Sequence, residues 1–278
     1  MSRAVCSDIL LYMSQQIVEI DSYLLPVVEV VEETRDALTV VLSVPEELAD
    51  QFDYKPGQFL TIAVPSDTHE LAARCYSLSS SPHDGGPLRV TIKRTAEGYA
   101  SNWIADNLKP GHHLRVLPPA GIFSPKDLDD DLLLFAGGSG VTPIMSITRT
   151  ALSEGTGKIV VFYANRDEKS VIFRDEFNRL SVEHPDRLIV VHWLESVQGL
   201  PTQDQLKAFA AQYSTFDAFC CGPAPYMKSV SLALRELDFP RERRHQEKFV
   251  SLGGNPFGDG FSVDTAEYEV GAYDRDGA

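Results

Sequence analysis

Cysteine is scarce here: four residues in a chain of 278, Cys6, Cys75, Cys220 and Cys221. Two of them are adjacent and no C-x-x-C spacing exists. That argues against a disulfide framework and leaves the reduced thiols of a cytoplasmic protein as the simplest reading. The seven histidines form no H-x₃₋₅-H partner for a cysteine pair, so no metal site is expected. Long apolar runs are missing too. None approaches the roughly 20 residues that span a bilayer, and no membrane insertion is expected. The mildly apolar stretch Met1–Ser22 is interrupted by Asp8, Glu19 and Asp21 and shows no cleavage-site pattern. It reads as a short arm or helix, not a signal peptide. Positive charge is also short. Lys and Arg number 25 against 40 Asp and Glu, a formal net charge of −15. Such a surface argues against nucleic acid as a partner. No G-x-S-x-G occurs, so a serine hydrolase elbow has no support.

What is present is a sizeable apolar fraction, 43%, in a chain long enough for two ordinary domains. After an arm over residues 1–23, residues 24–124 are strand-rich. Val27–Val31 and Leu38–Val44 flank a turn at Glu32–Asp36. Pro45–Phe52 reads as a short helix. Phe59–Val64, Ser77–Ser81, Pro87–Arg94 and Leu114–Leu117 read as extended, with a helix over Glu97–Asn107. Short strands around one helix fit a closed antiparallel β-barrel. Ser124–Asp131 is polar and looks like a linker. Over 125–250 the pattern alternates: strands at Leu132–Ala136, Ile159–Tyr163, Leu188–Trp193 and Asp217–Cys221, helices at Pro143–Glu154, Arg174–Glu183, Gln203–Gln212 and Pro225–Leu237. Apolar runs without alternation predict an α/β domain whose parallel sheet is covered on both faces.

Five stretches carry candidate chemistry. In Arg74-Cys75-Tyr76-Ser77, a cation, a flat ring and a small hydroxyl lie within four residues. Those are the groups a flavin needs for its phosphate, its ring and its reactive nitrogen. An ordinary edge strand with a buried Tyr fits equally well. In an extended segment Arg74 and Tyr76 share one face and Ser77 takes the other. Gly98–Trp103 opens a helix whose free N–H groups suit a pyrophosphate, although N-capping by Ser101 explains it too. Gly137-Gly138-Ser139-Gly140-Val141-Thr142-Pro143 follows a buried strand and enters a helix, with Thr142 as N-cap and Pro143 as first helical residue. Pro143 stands where the fingerprint G-x-G-x-x-G has its last glycine. Cys221-Gly222-Pro223 repeats the strand–turn–helix context, with Cys221 either beside a ligand or a small core residue. His245-Gln246-Glu247-Lys248-Phe249 is otherwise a plain terminal strand.

Taken together and in this order, the five stretches resemble the ferredoxin–NADP⁺ reductase superfamily over about residues 24–260. Tyr163-Ala164-Asn165-Arg166-Asp167, Ser170–Phe173 and His245-x-Glu247-x-Phe249 are similar to the reductase components of bacterial multicomponent oxygenases. That branch includes the phenylacetyl-CoA epoxidase and 3-ketosteroid 9α-hydroxylase reductases. The resemblance implies a flavin-dependent NAD(P)H oxidoreductase that passes electrons through FAD to a ferredoxin domain or oxygenase component. It implies that Arg74 pairs with FAD phosphate, Tyr76 packs on the flavin ring and Ser77 bonds near its reactive nitrogen. Cys75, Thr91, Ile92, Lys93, Gly98, Ala100, Ser101 and Asn102 complete the FAD set. Gly138, Gly140, Thr142, Pro143, Arg166, Gly222 and Pro223 hold NADH or NADPH, and Cys221, Glu247 and Phe249 line the transfer site. Arg166 and Asp167 leave the coenzyme ambiguous, with a lean towards NADH. In the branch a [2Fe–2S] domain follows the reductase. No C-x₄-C-x₂-C occurs here. Residues 251–278 read as a linker, Gly258–Asp264, and the opening hairpin of such a domain. A free-standing ferredoxin or flavodoxin reductase and a non-catalytic flavin-binding regulatory protein are the competing readings.

Overall fold

The structure, a computed structural model, describes residues 21–65, 71–249 and 256–257. The arm expected over 1–23 and the linker and hairpin expected over 251–278 lie outside the described residues, apart from positions 21–23 and 256–257.

The first sheet contains β1 (Tyr23–Thr34), β2 (Ala37–Leu42), β3 (Phe59–Pro65), β4 (Leu71–Ser77), β5 (Leu88–Lys93) and β6 (His113–Val116), in the order β4-β3-β6-β1-β2-β5. Its named pairings are antiparallel. The outer strands meet where Leu78 bridges Val90 and the Ser79 N–H donates to the Arg89 carbonyl at 2.8 Å. The sheet thus curls into a barrel with no free edge at that seam. Leu25, Val40, Leu42, Leu60, Ile62, Leu78, Val90 and Ile92 fill it, and Ile104 of α1 (Tyr99–Asn107) plugs it. Each fully buried aliphatic chain contributes roughly 1.5–3 kcal/mol.

Three barrel expectations need correction. β1 runs to Thr34 and the turn shrinks to Arg35-Asp36. Glu32 and Glu33 look like turn residues by charge, but they sit on β1 next to a register shift, and the Glu33 carboxylate accepts the Thr39 hydroxyl at 2.6 Å. β4 begins upstream of the first motif, at a Leu-Ala-Ala run with little strand propensity. Seven in-register partners on β3, from Phe59↔Ser77 to Pro65↔Leu71, impose the strand on it. The stretch Pro45–Phe52 is a 3₁₀ turn over Glu46–Phe52.

The second sheet is wholly parallel: β7 (Leu132–Gly137), β8 (Ile159–Asn165), β9 (Leu188–Leu194), β10 (Asp217–Cys221) and β11 (Arg244–Glu247), in the order β11-β10-β7-β8-β9. Helices α2 (Val141–Glu154), α3 (Arg174–Glu183), α4 (Glu195–Gln198), α5 (Gln203–Ala210) and α6 (Ala224–Glu236) connect the strands. Alternate residues of β7 feed two cores: Leu132, Leu134 and Ala136 pack with Ile144 and Phe177, while Leu133 and Phe135 pack with Leu206 and Val230. Strands with two buried faces therefore read as apolar runs. Strand order reverses between β7 and β10. In open α/β sheets, that reversal is where ligands bind, at the carboxyl ends.

The expected linker is not loose. Asp129 accepts the Thr156 N–H at 2.9 Å and Asp131 the Lys158 N–H at 2.7 Å. The two sheets are also tied together. Ser146 donates to the Ser80 carbonyl at 2.7 Å, and Thr150 donates to Ser81 at 3.0 Å. Among the described residues no helix is long and apolar enough to cross a membrane.

Candidate active site

β4 lays out the first motif as an extended segment. Tyr76 and Arg74 lie opposite Leu60 and Ile62, and Cys75 and Ser77 opposite Thr61 and Phe59, so the two pairs occupy opposite faces. Tyr76 packs against the barrel core, and burial pushes its phenol up to about 12. Ser77 is buried. The partly buried Arg74 guanidinium donates to the Ala73 carbonyl at 2.7 Å and forms an ion pair with no described residue. Cys75 shares a hydrogen bond with Thr61 at 3.6 Å.

On β5, Ile92 belongs to the barrel core. Thr91 is buried, with its hydroxyl bonded to Thr39 at 2.7 Å and Ser79 at 3.0 Å. Their side chains are committed to packing, so only their backbone is available to a cofactor. Lys93 is partly buried and lies 3.8 Å from Asp36.

The start of α1 differs from expectation. Gly98, not Ser101, is the N-cap, and no side chain caps the helix. Ser101 sits in the first turn, accepts the Thr95 N–H at 3.1 Å and donates to the Gly98 carbonyl at 3.4 Å. Asn102 donates to the same carbonyl at 2.8 Å and accepts from Arg94 at 3.2 Å. Both side chains fasten the preceding turn to the helix, and Ala100 is buried in the barrel. The first-turn backbone N–H groups are what this helix end offers to a pyrophosphate.

At the second sheet's switch point, a 3₁₀ turn over Gly138–Gly140 runs directly into α2. The helix therefore starts at Val141, with Gly140 as N-cap and no side-chain cap. Thr142 and Pro143 lie within its first turn, a correction to the expected N-cap. Thr142 is buried and its hydroxyl donates to the Ser139 carbonyl at 3.2 Å. Gly138 has φ +52°, and a Cβ there would meet no atom within 4 Å, so the turn faces open space. Gly140 is tight instead: a Cβ would overlap the Cys221 carbonyl. Gly222 also packs on Gly137, with a hypothetical Cβ 3.0 Å from its backbone. The Gly137–Gly140 turn and the Cys221–Pro223 turn thus form one surface.

β11 brings Glu247 beside Cys221 as its register partner. Burial pushes the Glu247 carboxyl up to about 7. Burial raises the Cys221 thiol well above its ordinary value, and the neighbouring Cys220 and Glu247 add to the rise. Cys75, on the barrel strand, is raised in the same way, first by burial and then by Glu247. Cys221 is fully buried in the core, while Phe249 stands half-exposed just beyond β11. Arg166, two residues past the register partner of Gly137, reaches back to the barrel and pairs with Asp36 at 2.8 Å. Asp36 is the site neighbour missed at the level of sequence. It lies 130 residues from Arg166, and nothing local marks it.

These residues fit two nucleotides: a partly buried cation with no described anion, two helix starts without side-chain caps, and a left-handed glycine facing open space. The comparisons agree. The family description "Oxidoreductase FAD-binding domain" matches residues 24–124, and "Oxidoreductase NAD-binding domain" matches residues 134–231. The chain is 55% identical over 249 residues to the ferredoxin reductase component of 3-ketosteroid-9-alpha-monooxygenase from Rhodococcus rhodochrous, covering 90% of this chain and 71% of that one. It is 32% identical to a component of the 1,2-phenylacetyl-CoA epoxidase of Escherichia coli, over 82% of this chain and 68% of that one. Among solved structures, the ferredoxin reductase of carbazole 1,9a-dioxygenase superposes with a TM-score of 0.68 at 25% identity, over 83% of this chain and 70% of that one. The chain belongs to the ferredoxin reductase components of oxygenase systems, oxidoreductases that bind FAD and a nicotinamide coenzyme and pass electrons onward.

Proposed function

We propose that electrons cross from nicotinamide to flavin where β4, the Gly137–Gly140 turn and the Cys221–Pro223 turn converge, beside Glu247. The observation that carries this reading is geometric: α2, which follows the glycine turn, is fastened to the segment after β4 by Ser146 donating to the Ser80 carbonyl at 2.7 Å, and Glu247 is the register partner of Cys221 beside that turn. Bound FAD supplies acceptance of two electrons as hydride and their release one at a time. The chain's own residues do the rest. Arg74 holds a flavin phosphate by a charge-assisted hydrogen bond. Tyr76 and Ser77 orient the ring, and the N–H groups at Gly98–Asn102 hold the pyrophosphate. Gly138 lets the coenzyme phosphates approach the start of α2, and Gly222 and Pro223 shape the wall on the other side. Glu247, half-protonated near neutral pH, holds a proton at the transfer site. Phe249 stands over its open side.

In this reading the oxygenase served is of the 3-ketosteroid-hydroxylating kind, supported by 55% identity over 90% of the chain. The protein acts in the cytoplasm, which fits its free thiols Cys75, Cys220 and Cys221. Heating the purified yellow protein should release FAD, and dye reduction should follow added NADH or NADPH. Release of FMN would remove the second phosphate site from the account. A flavin-loaded protein inert to both coenzymes would remove the transfer site.

A further inference from the structure

We infer that Asp36, at the tip of the barrel hairpin, sets coenzyme choice: it holds Arg166 away from a 2′-phosphate, and the chain uses NADH. The inference rests on the coenzyme site proposed above. The end of β8 lies beside the glycine turn, with Ala164 the register partner of Gly137 and Tyr163 donating to the Gly138 carbonyl at 3.3 Å. Residues just beyond β8 therefore stand where a dinucleotide fold reads the adenosine ribose. There an acidic residue takes the ribose hydroxyls, and an Arg takes a 2′-phosphate.

Both candidates are present, and both are engaged. The Asp167 carboxylate accepts the Ser170 N–H at 2.9 Å and caps the turn Glu168–Ser170. Arg166 donates to Asp36 Oδ2 at 2.8 Å. Asp36 is fixed from several sides. Thr34 donates to its Oδ1 at 2.9 Å, and Lys93 lies 3.8 Å from Oδ2. The Arg94 N–H donates to its carbonyl at 2.7 Å. Burial works against its charge, but the Thr34 hydrogen bond and the Lys93 and Arg166 charges outweigh it, so the carboxyl stays below its ordinary range. The Asp36 side chain is 22% exposed and Arg166 54%, so the carboxylate is held while the guanidinium tip remains reachable. A neighbouring cleft of about 220 Å³ carries Glu32, Glu33, Glu168, Asp175 and Glu176 against Lys169 and Arg174. A 2′-phosphate would have to displace Asp36 from Arg166 and then sit beside that carboxylate. A ribose hydroxyl would displace nothing.

The test is calorimetric titration of the FAD-loaded chain with adenosine 5′-monophosphate and adenosine 2′,5′-bisphosphate. Wild type should bind the two within roughly threefold of each other. Asp36→Asn keeps the side chain's size and an acceptor for Thr34 while freeing Arg166. It should favour the bisphosphate by about tenfold or more. Adding Arg166→Ala to that variant should abolish the gain. Arg166→Ala alone should leave the wild-type ratio within about twofold, because the cation is already neutralised. The kcat/KM ratio for NADPH over NADH should move in parallel. An unchanged ratio in Asp36→Asn would overturn the inference, as would a single Arg166→Ala that weakens the bisphosphate about tenfold. Failure of every form to bind either nucleotide while retaining flavin would instead remove the underlying coenzyme site.

Discussion

The two glycine-led helix starts, Gly98–Asn102 in the barrel domain and Gly137–Pro143 in the coenzyme domain, use the same residue types for different ends. In the first, Ser101 and Asn102 bind the Thr95–Gly98 turn to its own helix. A Cβ on Gly98 would come within 2.8 Å of the Thr95 side chain. In the second, Thr142 turns back to Ser139, and Gly140 is pressed against the Cys221 backbone while Gly138 faces open space. A hydroxyl in the first turn is thus a rivet for the preceding loop in both places. The glycines divide the labour: one permits packing, another leaves room for a ligand.

The largest effect should come from breaking the tighter of the two. Gly140→Ala sets a methyl against the Cys221 carbonyl, which is backbone and cannot rotate away. It should lose about 2–3 kcal/mol in urea unfolding, with the transition midpoint falling at constant slope. Glu247, next to the same turn, gives a pH-dependent effect of comparable size. Its folded carboxyl is raised to about 7 from an ordinary 4.5. Between those values the folded state binds more protons than the unfolded state, so stability falls as pH rises. The penalty is complete above the folded value. Glu247→Gln should therefore gain at most about 3 kcal/mol at pH 8 and nothing near pH 4. A gain of equal size at both pH values would mean that ionisation is not the cause. The smallest effect belongs to the barrel helix start. Ser101→Ala removes a hydrogen bond from the Thr95 N–H and should cost about 1 kcal/mol in the same unfolding assay.

The contrast also shows what could be read from sequence. The stretches of the proposed site, Arg74–Ser77, Gly137–Pro143, Cys221–Pro223 and Glu247, stand out in the sequence because short-range chemistry marks them: charge beside ring, glycine after an apolar strand. Both sheets were legible from their apolar periods. What was not legible depends on distant pairing. β4 upstream of Arg74 exists because β3 pairs with it. Thr91 and Ile92 look available beside Lys93, but barrel closure turns them inward. The caps shifted by two and three residues because the preceding turns, not the hydroxyl side chains, start the helices. Asp36 is an ordinary hairpin residue until the coenzyme domain brings Arg166 to it.

The central claim is that the coenzyme reaches flavin over the open glycine turn, and Gly138 tests it most directly. Its φ of +52° and the open space around a Cβ there mean that Gly138→Val strains the backbone and projects into the space assigned above to the coenzyme. Anaerobic mixing of the FAD-loaded chain with NADH should bleach the flavin in wild type. In Gly138→Val the NADH concentration for half-maximal bleaching should rise by about tenfold or more, with flavin content unchanged. Unchanged half-saturation in a fully flavin-loaded Gly138→Val protein would contradict the account.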